Sequence, residues 1–398
     1  MSSTQELDWQ SWADSEDQTT SGVYTKQGPP LVRGVGARLT DASGQEFIDC
    51  VAGIGTGNVG HSHPIVVAAI QHQASQLTIC PEIFHHEERA KLQRRLVDLG
   101  ASAGIERVFC CNSGAEAVEA ALKFAKIVSG RPGVVAAMRG FHGRSMGALS
   151  ATWEKKYREP FEPLVPGFSH VPYGKLDRLD AAIGDETGAV LLEVIQGEGG
   201  VRVGTAEYLQ GAQALCRERG AFLILDEVQT GIGRTGRTFA YEHFDLRPDL
   251  VCLAKSLAAG VPIGAVLIGE RLGAIPGRVH GSTFGGNPLA AAAANAVLDV
   301  LEDEGLCARA ERLGGQLRAQ LRALESPHVR EIRGLGLMIG IELKRKVGPL
   351  VTALRSRGVL ALGAGATVLR LLPPLVISEA DLAAVVAAID ASLKELKE

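Results

Sequence analysis

The chain has 398 residues, enough for two or three domains at about 150 residues each. Hydrophobic residues make up 46% and charged residues 22%, which excludes a disordered or a collagen-like chain. Lys and Arg number 41 against 45 Asp and Glu, a net charge of −4, so the basic surplus of a nucleic-acid binder is missing.

Residues 1–22 are polar and carry Trp9 and Trp12, which suits either a mobile arm or a short helix docking two indoles. Leu31 to Cys50 reads as a hairpin with a polar Asp-Ala-Ser-Gly turn. Residues 64–79 and 87–99 have helical spacing of apolar positions. Short apolar runs then alternate with helical segments: Arg107–Cys111, helix 115–128, Val134–Met138, Ala189–Val194, helix 206–219, Ala221–Leu225, Leu250–Leu253 and Ile263–Ile268. Strands without polar alternation are buried on both faces, as in a mostly parallel sheet covered by helices. After Asn287 come helices near 288–303 and 307–324, strands Val329–Arg333 and Leu337–Leu343, and a helix near 348–357. Strands Val359–Leu362 and Val368–Leu372 and a last helix at 378–396 complete the pattern, which reads as a smaller α+β unit.

The seven cysteines are odd in number, form no Cys-x-x-Cys and mostly sit in apolar runs, so they read as reduced buried thiols. No apolar run reaches about 18 residues, so no membrane span is expected. The acidic N-terminus lacks a basic-then-apolar signal pattern, and a cytoplasmic location is the expectation.

Some motifs are weak on inspection. Gly55–Gly60 and Gly231–Gly236 both fit Gly-x-Gly-x-x-Gly, yet neither is followed by a helical pattern, as a dinucleotide fingerprint requires. Gly143-Arg-Ser-Met-Gly147 has the letters of a nucleophile elbow, but the Ala-Leu-Ser-Ala-Thr that follows is poor for the helix such an elbow opens. A serine hydrolase through Ser145 stays open as a rival. His61, His63, His85 and His86 have no clear third-ligand spacing, so no metal is expected.

Four other features converge. Ala221–Leu225 leads straight into Asp226, and ligands gather at the carboxyl ends of strands in α/β sheets. Leu250–Leu253 is followed by Lys255; a desolvated lysine loses its proton and becomes a nucleophile suited to a Schiff base. Cys111-Asn-Ser113-Gly114-Ala115-Glu116 runs from strand to helix start, an anion site in the making or simply a helix cap. Gly281-Ser282-Thr283-Phe-Gly-Gly-Asn-Pro is a hydroxyl-bearing glycine loop entering a helix. An Asp for a pyridine nitrogen, a Lys for an aldehyde and a phosphate cradle together match pyridoxal phosphate.

On these runs the sequence resembles the class III pyridoxal-phosphate aminotransferases, over about residues 22–395. Matching segments include Asn112-Ser-Gly-Ala-Glu-Ala, Phe141-His-Gly-Arg-Ser, Gln196-Gly-Glu-Gly-Gly-Val, Leu225-Asp-Glu-Val-Gln-Thr-Gly-Ile-Gly-Arg-Thr-Gly, Leu253-Ala-Lys255 and Thr283-Phe-Gly-Gly-Asn-Pro-Leu-Ala. The resemblance implies the aspartate-aminotransferase type of α/β fold, fold type I. An arm and hairpin (1–50) would join a small C-terminal domain (287–398) beside a large cofactor domain (51–286). It implies that Lys255 carries the cofactor and that Asp226 pairs with its ring nitrogen. Val228 and Phe141 would pack on the ring, Gln229 would lie near its phenolic oxygen, and Ser113, Gly114 and Ala115 would hold the phosphate. Thr283 would reach the phosphate from the other subunit of a homodimer.

Within the class, the acetylornithine subgroup is the nearest likeness. Arg144, beside Ser282, matches an arginine for the α-carboxylate of an N-acylated diamino acid. Arg370 matches one for glutamate or 2-oxoglutarate, and Glu198 a gate that pairs with it. Thr152-Trp-Glu-Lys-Lys-Tyr-Arg-Glu-Pro-Phe and Leu371-Leu-Pro-Pro-Leu-Val-Ile further resemble enzymes acting on aminoadipate semialdehyde linked to the acidic carrier LysW. Lys155, Lys156 and Arg158 are then candidates for a basic rim. The implied activity is a ping-pong transfer of a terminal amino group from LysW-linked lysine or N-acetylornithine to 2-oxoglutarate, run toward the amine in lysine or arginine biosynthesis. Alternatives are a 4-aminobutyrate or ornithine aminotransferase, or a cofactor-binding regulator without turnover. Two departures from the family pattern stand near the site: Glu193-Val-Ile-Gln lacks the usual proline, and Ser-Leu-Ala-Ala-Gly replaces the usual glycine run after Lys255.

Overall fold

A computed structural model describes residues 9–26, 28 and 30–396. Its centre is a seven-stranded sheet in the order Ile105–Cys111, Gly264–Gly269, Leu250–Leu253, Phe222–Asp226, Thr187–Leu192, Gly133–Ala137, Phe168–Val171. Gly264–Gly269 runs antiparallel to both of its neighbours, and the other pairings are parallel. Every residue of Thr187–Leu192, Phe222–Asp226, Leu250–Leu253 and Gly264–Gly269 is buried. These strands lack polar alternation because helices cover both faces. The α/β architecture expected from the run-and-helix rhythm is therefore found.

Two four-stranded sheets and the two-stranded pair Ile195–Gln196 and Arg202–Val203 accompany it. One four-stranded sheet has the order Val329–Leu335, Met338–Leu343, Val368–Leu371, Leu362–Ala364. The other joins Leu31–Val35, Arg38–Asp41 and Glu46–Asp49 to Val359–Leu360, so residues more than 300 apart in sequence share one sheet. The helix Pro288–Asp303 is buried along most of its length, because six of its first nine residues are alanines that admit close neighbours. It packs on the helices Pro64–Ala74 and Glu87–Gly100.

Several elements depart from the sequence reading. The region before Cys50 is a three-stranded meander rather than a single hairpin. The run Val359–Leu362 is two strands, because the chain crosses at buried Ala361 from one small sheet to the other. The helix from residue 64 stops at Ala74, where the Gln73 side chain donates to the carbonyl of Leu77 at 2.9 Å and closes the turn. The strand Phe168–Val171 and the helix Leu176–Ala182 were not anticipated; both are short and mixed in polarity. A helix, Met146–Ala151, does follow Ser145, with five of its six residues buried, so packing overrides the weak local propensity. Trp9–Thr19 is helical and buries neither indole; residues 1–8 of the expected arm lie outside the described residues. Among the described residues no helix is long and apolar enough to cross a membrane.

Candidate active site

At the carboxyl ends of the central strands lies a cavity of about 320 Å³. That is where open α/β sheets place ligands, and the size suits a small molecule. Its walls bring together Ser113, Gly114, Ala115, Phe141, Glu198, Asp226, Val228, Gln229 and Lys255.

Asp226 ends the strand Phe222–Asp226 and is buried. Its Oδ2 lies 2.8 Å from His142 Nδ1, and its Oδ1 accepts from the Val228 amide at 3.0 Å. Burial alone would depress the imidazole pKa of His142; the bond and charge of Asp226 overcome this, so the net shift is upward. The pair places the Asp226 carboxylate, held by His142 and the Val228 amide, at the cavity wall.

Lys255 follows the strand Leu250–Leu253 in a left-handed backbone conformation, φ +36°. Non-glycine residues are held there only when the surroundings over-determine them. Its Nζ has no hydrogen bond or ion pair with any described residue. Burial pulls its pKa below the usual lysine range and Arg370 adds to this, while Glu198, Asp226 and Glu193 partly offset the shift. The result is a nucleophilic amine at the cavity wall.

The opposite wall is the start of the helix Gly114–Ser129. Ser113 caps it, its Oγ accepting from the Glu116 amide at 3.2 Å. Asn112 donates from its amide (3.0 Å) and Nδ2 (2.9 Å) to Glu116 Oε2, which completes the cap. The amides of the first turn are left free for an anion. Glycine is needed at 114: a Cβ there would stand 2.8 Å from Val228 Cγ1.

At the mouth, Arg370 donates to Glu198 Oε1 at 2.5 Å and to Gln229 Oε1 at 3.3 Å. Arg370 is 3% exposed and Glu198 34%. Burial would raise the pKa of Glu198, but the pairing with Arg370 outweighs it and the carboxylate stays ionised.

Arg144, Ser282 and Thr283 do not line the cavity. Arg144 is exposed, its guanidinium 4.4 Å above the ring of Tyr157, which itself stands edge-on to Phe141 at 5.9 Å. Ser282 is tied to the cavity indirectly, its Oγ accepting from Asn112 Nδ2 at 2.9 Å. Thr283 is exposed.

Sequence reasoning assigned no role to His142 or Glu193, yet both line the cavity. Glu193 accepts from the amides of Phe141 (3.3 Å) and Gly197 (3.2 Å), and burial with the nearby Asp226 charge pushes its pKa up, against the pull of His142. The signal for Glu193 was available: like Asp226, it is a carboxylate at the end of a buried, largely apolar strand.

The fit to a cofactor can be judged from these groups. A buried carboxylate, an unpartnered amine and a helix start with free amides surround one small cavity. They match the charged ring nitrogen, the aldehyde and the phosphate of pyridoxal phosphate, and the missing Cβ of Gly114 lets Val228 of the cavity wall pack against the helix start. The fold and site thus define a pyridoxal-phosphate-dependent enzyme.

Comparisons with known proteins narrow this. The model of the family "Aminotransferase class-III" matches residues 24–393. A [LysW]-aminoadipate semialdehyde transaminase of Deinococcus radiodurans is 48% identical, over 97% of this chain and 90% of its own. An acetylornithine aminotransferase of Methanothermobacter thermautotrophicus is 45% identical, over 92% of this chain and 93% of its own. Among solved structures, the ornithine aminotransferase of Toxoplasma gondii superimposes with a TM-score of 0.92 at 35% identity, covering 98% of this chain and 96% of that one. The chain belongs to the class III aminotransferases, pyridoxal-phosphate-dependent enzymes that transfer amino groups.

Proposed function

We propose that this aminotransferase moves the terminal amino group of an N-acylated diamino acid, LysW-linked lysine or N-acetylornithine, to 2-oxoglutarate. The products are the semialdehyde and glutamate, and in lysine or arginine biosynthesis the reaction would run toward the amine. The observation that carries the reading is the Glu198–Arg370 pair at the mouth of the Lys255 cavity. A terminal amine has no carboxylate beside its reacting carbon, so Arg370 is best covered while it binds. A 2-oxo acid has one, and Glu198, partly exposed, can withdraw to free the guanidinium for a bidentate grip. The names of the bacterial and archaeal relatives agree with an N-acylated substrate.

When bound, pyridoxal phosphate supplies an electron sink for the pair left at the carbon that bears the amine. Lys255, Asp226, Ser113, Gly114, Ala115, Val228 and Phe141 would hold it. Lys255, with its lowered pKa, would serve as the base that takes a proton from that carbon and gives it back. Asp226, positioned by His142, would face the ring nitrogen. Gln229 links this floor to Arg370, so the gate and the cofactor pocket share a hydrogen bond.

A homodimer belongs to the reading, with Thr283 completing the partner's phosphate site. Supporting it, Ile83, Phe84 and Phe284 are 83%, 63% and 60% exposed on neighbouring segments that Arg89 ties together through the carbonyls of Phe84 and Gly286. Large exposed apolar groups gathered on one face mark interfaces. Residues 51–286 would form the cofactor unit, and the pairing of Glu46–Asp49 with Val359–Leu360 supports counting 1–50 with 287–398. An acidic carrier would meet Lys155, Lys156 and Arg158 at the rim.

Steady-state rates with N-acetylornithine, ornithine and 4-aminobutyrate test the substrate class. A higher kcat/KM for N-acetylornithine supports the proposal. Faster turnover of free ornithine would favour the second reading, to which the likeness to the Toxoplasma enzyme points.

A further inference from the structure

We propose that a second cavity, beside the first, is a subsite for a carboxylate carried by the substrate's N-acyl group. The inference rests on the N-acylated-substrate reading above and sharpens it. This cavity, of about 230 Å³, shares Phe141 and Glu198 with the Lys255 cavity, so one extended substrate can occupy both.

Three cations line it from three separate elements: Arg139, Lys156 and Arg202. Arg139 lies just after the strand Gly133–Ala137, at a φ of +69° that is costly for an arginine. It has no hydrogen bond or ion pair with any described residue. Arg202 opens the strand Arg202–Val203, which pairs with Ile195–Gln196; the hairpin that carries Glu198 in its loop therefore also carries Arg202. The Nε of Arg202 is buried without a partner. Among the described residues its only ion pair is a 3.7 Å approach to Glu342. That carboxylate already serves Arg333 at 2.6 Å and Arg330 at 3.2 Å. Lys156 is exposed and stands 4.8 Å over the Tyr157 ring.

The acidic groups cannot balance these charges. Glu198 is committed to Arg370, and Glu154, also in the lining, is exposed to solvent. Burial pulls the pKa of Arg202 down, Arg139 and Arg333 add to this, and Glu342 and Glu331 offset it only in part. Arg139 and Lys156 are exposed and Arg202 is half-buried, so the one costly group is the unpaired, buried Nε of Arg202; guanidinium groups match carboxylates in shape and charge. An acetyl group offers nothing to this cluster. A succinyl or γ-glutamyl group, which keeps a carboxylate after acylating the amine, does.

The test is calorimetric titration of the holoenzyme with unreactive analogues that lack the terminal amine. N-succinyl-L-norvaline should bind at least tenfold more tightly than N-acetyl-L-norvaline. The double variant R139M/R202M should bring the two within about twofold. K156M, which alters an exposed side chain and so guards against misfolding, should shrink the difference severalfold. Equal binding by the wild type, or an advantage that survives in both variants, would overturn the proposal. A γ-glutamyl analogue extended by a short acidic peptide separates two sources of the same chemistry. Tighter binding of the extended probe points to the end of an acidic polypeptide, and equal binding to a small acyl acid. N-acetylornithine turnover is followed in parallel. Turnover without any acidic preference defeats the subsite alone, whereas no turnover defeats the underlying reading and the subsite with it.

Discussion

Substituting Glu198 by alanine is the most informative change at the mouth of the site. Arg370 is 3% exposed and Glu198 34%, so their pair lies between two limits. Exposed pairs contribute about 0–1 kcal/mol, and breaking a buried one costs about 3–5 kcal/mol; about 2 kcal/mol is a fair middle for a pair with one partner partly in water. A carboxylate substrate must displace Glu198 before Arg370 can grip it, so E198A removes that cost in advance. At 1.4 kcal/mol per tenfold, the KM for 2-oxoglutarate should fall by roughly 10- to 30-fold. Glutamate should gain as a donor by a similar factor, while N-acetylornithine loses, because its terminal end now faces an uncovered guanidinium. Initial rates at varied 2-oxoglutarate and fixed amine measure this directly. An unchanged or raised KM for 2-oxoglutarate in E198A would refute the gate.

Other outcomes follow from the same geometry. D226N removes the carboxylate that would pair with the ring nitrogen and that binds His142, so kcat should drop by at least about 100-fold with the fold intact, as read by steady-state rates and circular dichroism. G114A places a Cβ against Val228; cofactor affinity should fall at least tenfold by equilibrium dialysis, with a loss of about 1–3 kcal/mol in unfolding free energy. Burial lifts the pKa of Glu227 to about 7, although the amides of Ala240 and Tyr241 and the Thr230 hydroxyl favour its ionised form. A raised folded-state pKa means that this contribution to stability is fully present below the ordinary value of 4.5 and is lost as pH rises through about 7. E227Q should therefore flatten the fall in stability between about pH 4.5 and 7 in urea titrations; an unchanged slope would place the proton elsewhere. S145A should keep full aminotransferase activity and show no esterase loss, since Ser145 is exposed and outside the cavity.

Much of the cavity was legible because its chemistry sits at strand ends. Asp226 closes one apolar strand and Lys255 follows another, and no interior packing explains a charged group at such a point. Ser113 and Gly114 were legible as the start of a helix. The Glu198–Arg370 contact joins residues 172 apart and could be inferred only by likeness, since nothing local links a glycine-rich loop to a strand of another sheet. His142 was hidden for the same reason: its partner lies 84 residues away. The two departures from the family pattern have different consequences. Glu193 keeps its hydrogen bonds without the usual proline after it. Ala259 takes a φ of +49°, a conformation that glycine would hold at no steric cost. The helix after Ser145 and the split of residues 359–364 were set by packing and by which sheet each segment meets, neither of which a local pattern reveals.

The central claim is that Lys255 and its cavity exchange amino groups between an N-acylated diamino acid and a 2-oxo acid. Titrating the purified holoenzyme with N-acetylornithine, while following the visible absorbance of its cofactor, tests it most directly. The absorbance should bleach fully, return on adding 2-oxoglutarate, and stay unresponsive in K255A. A cofactor colour that ignores N-acetylornithine but is discharged by free ornithine or 4-aminobutyrate would contradict the account.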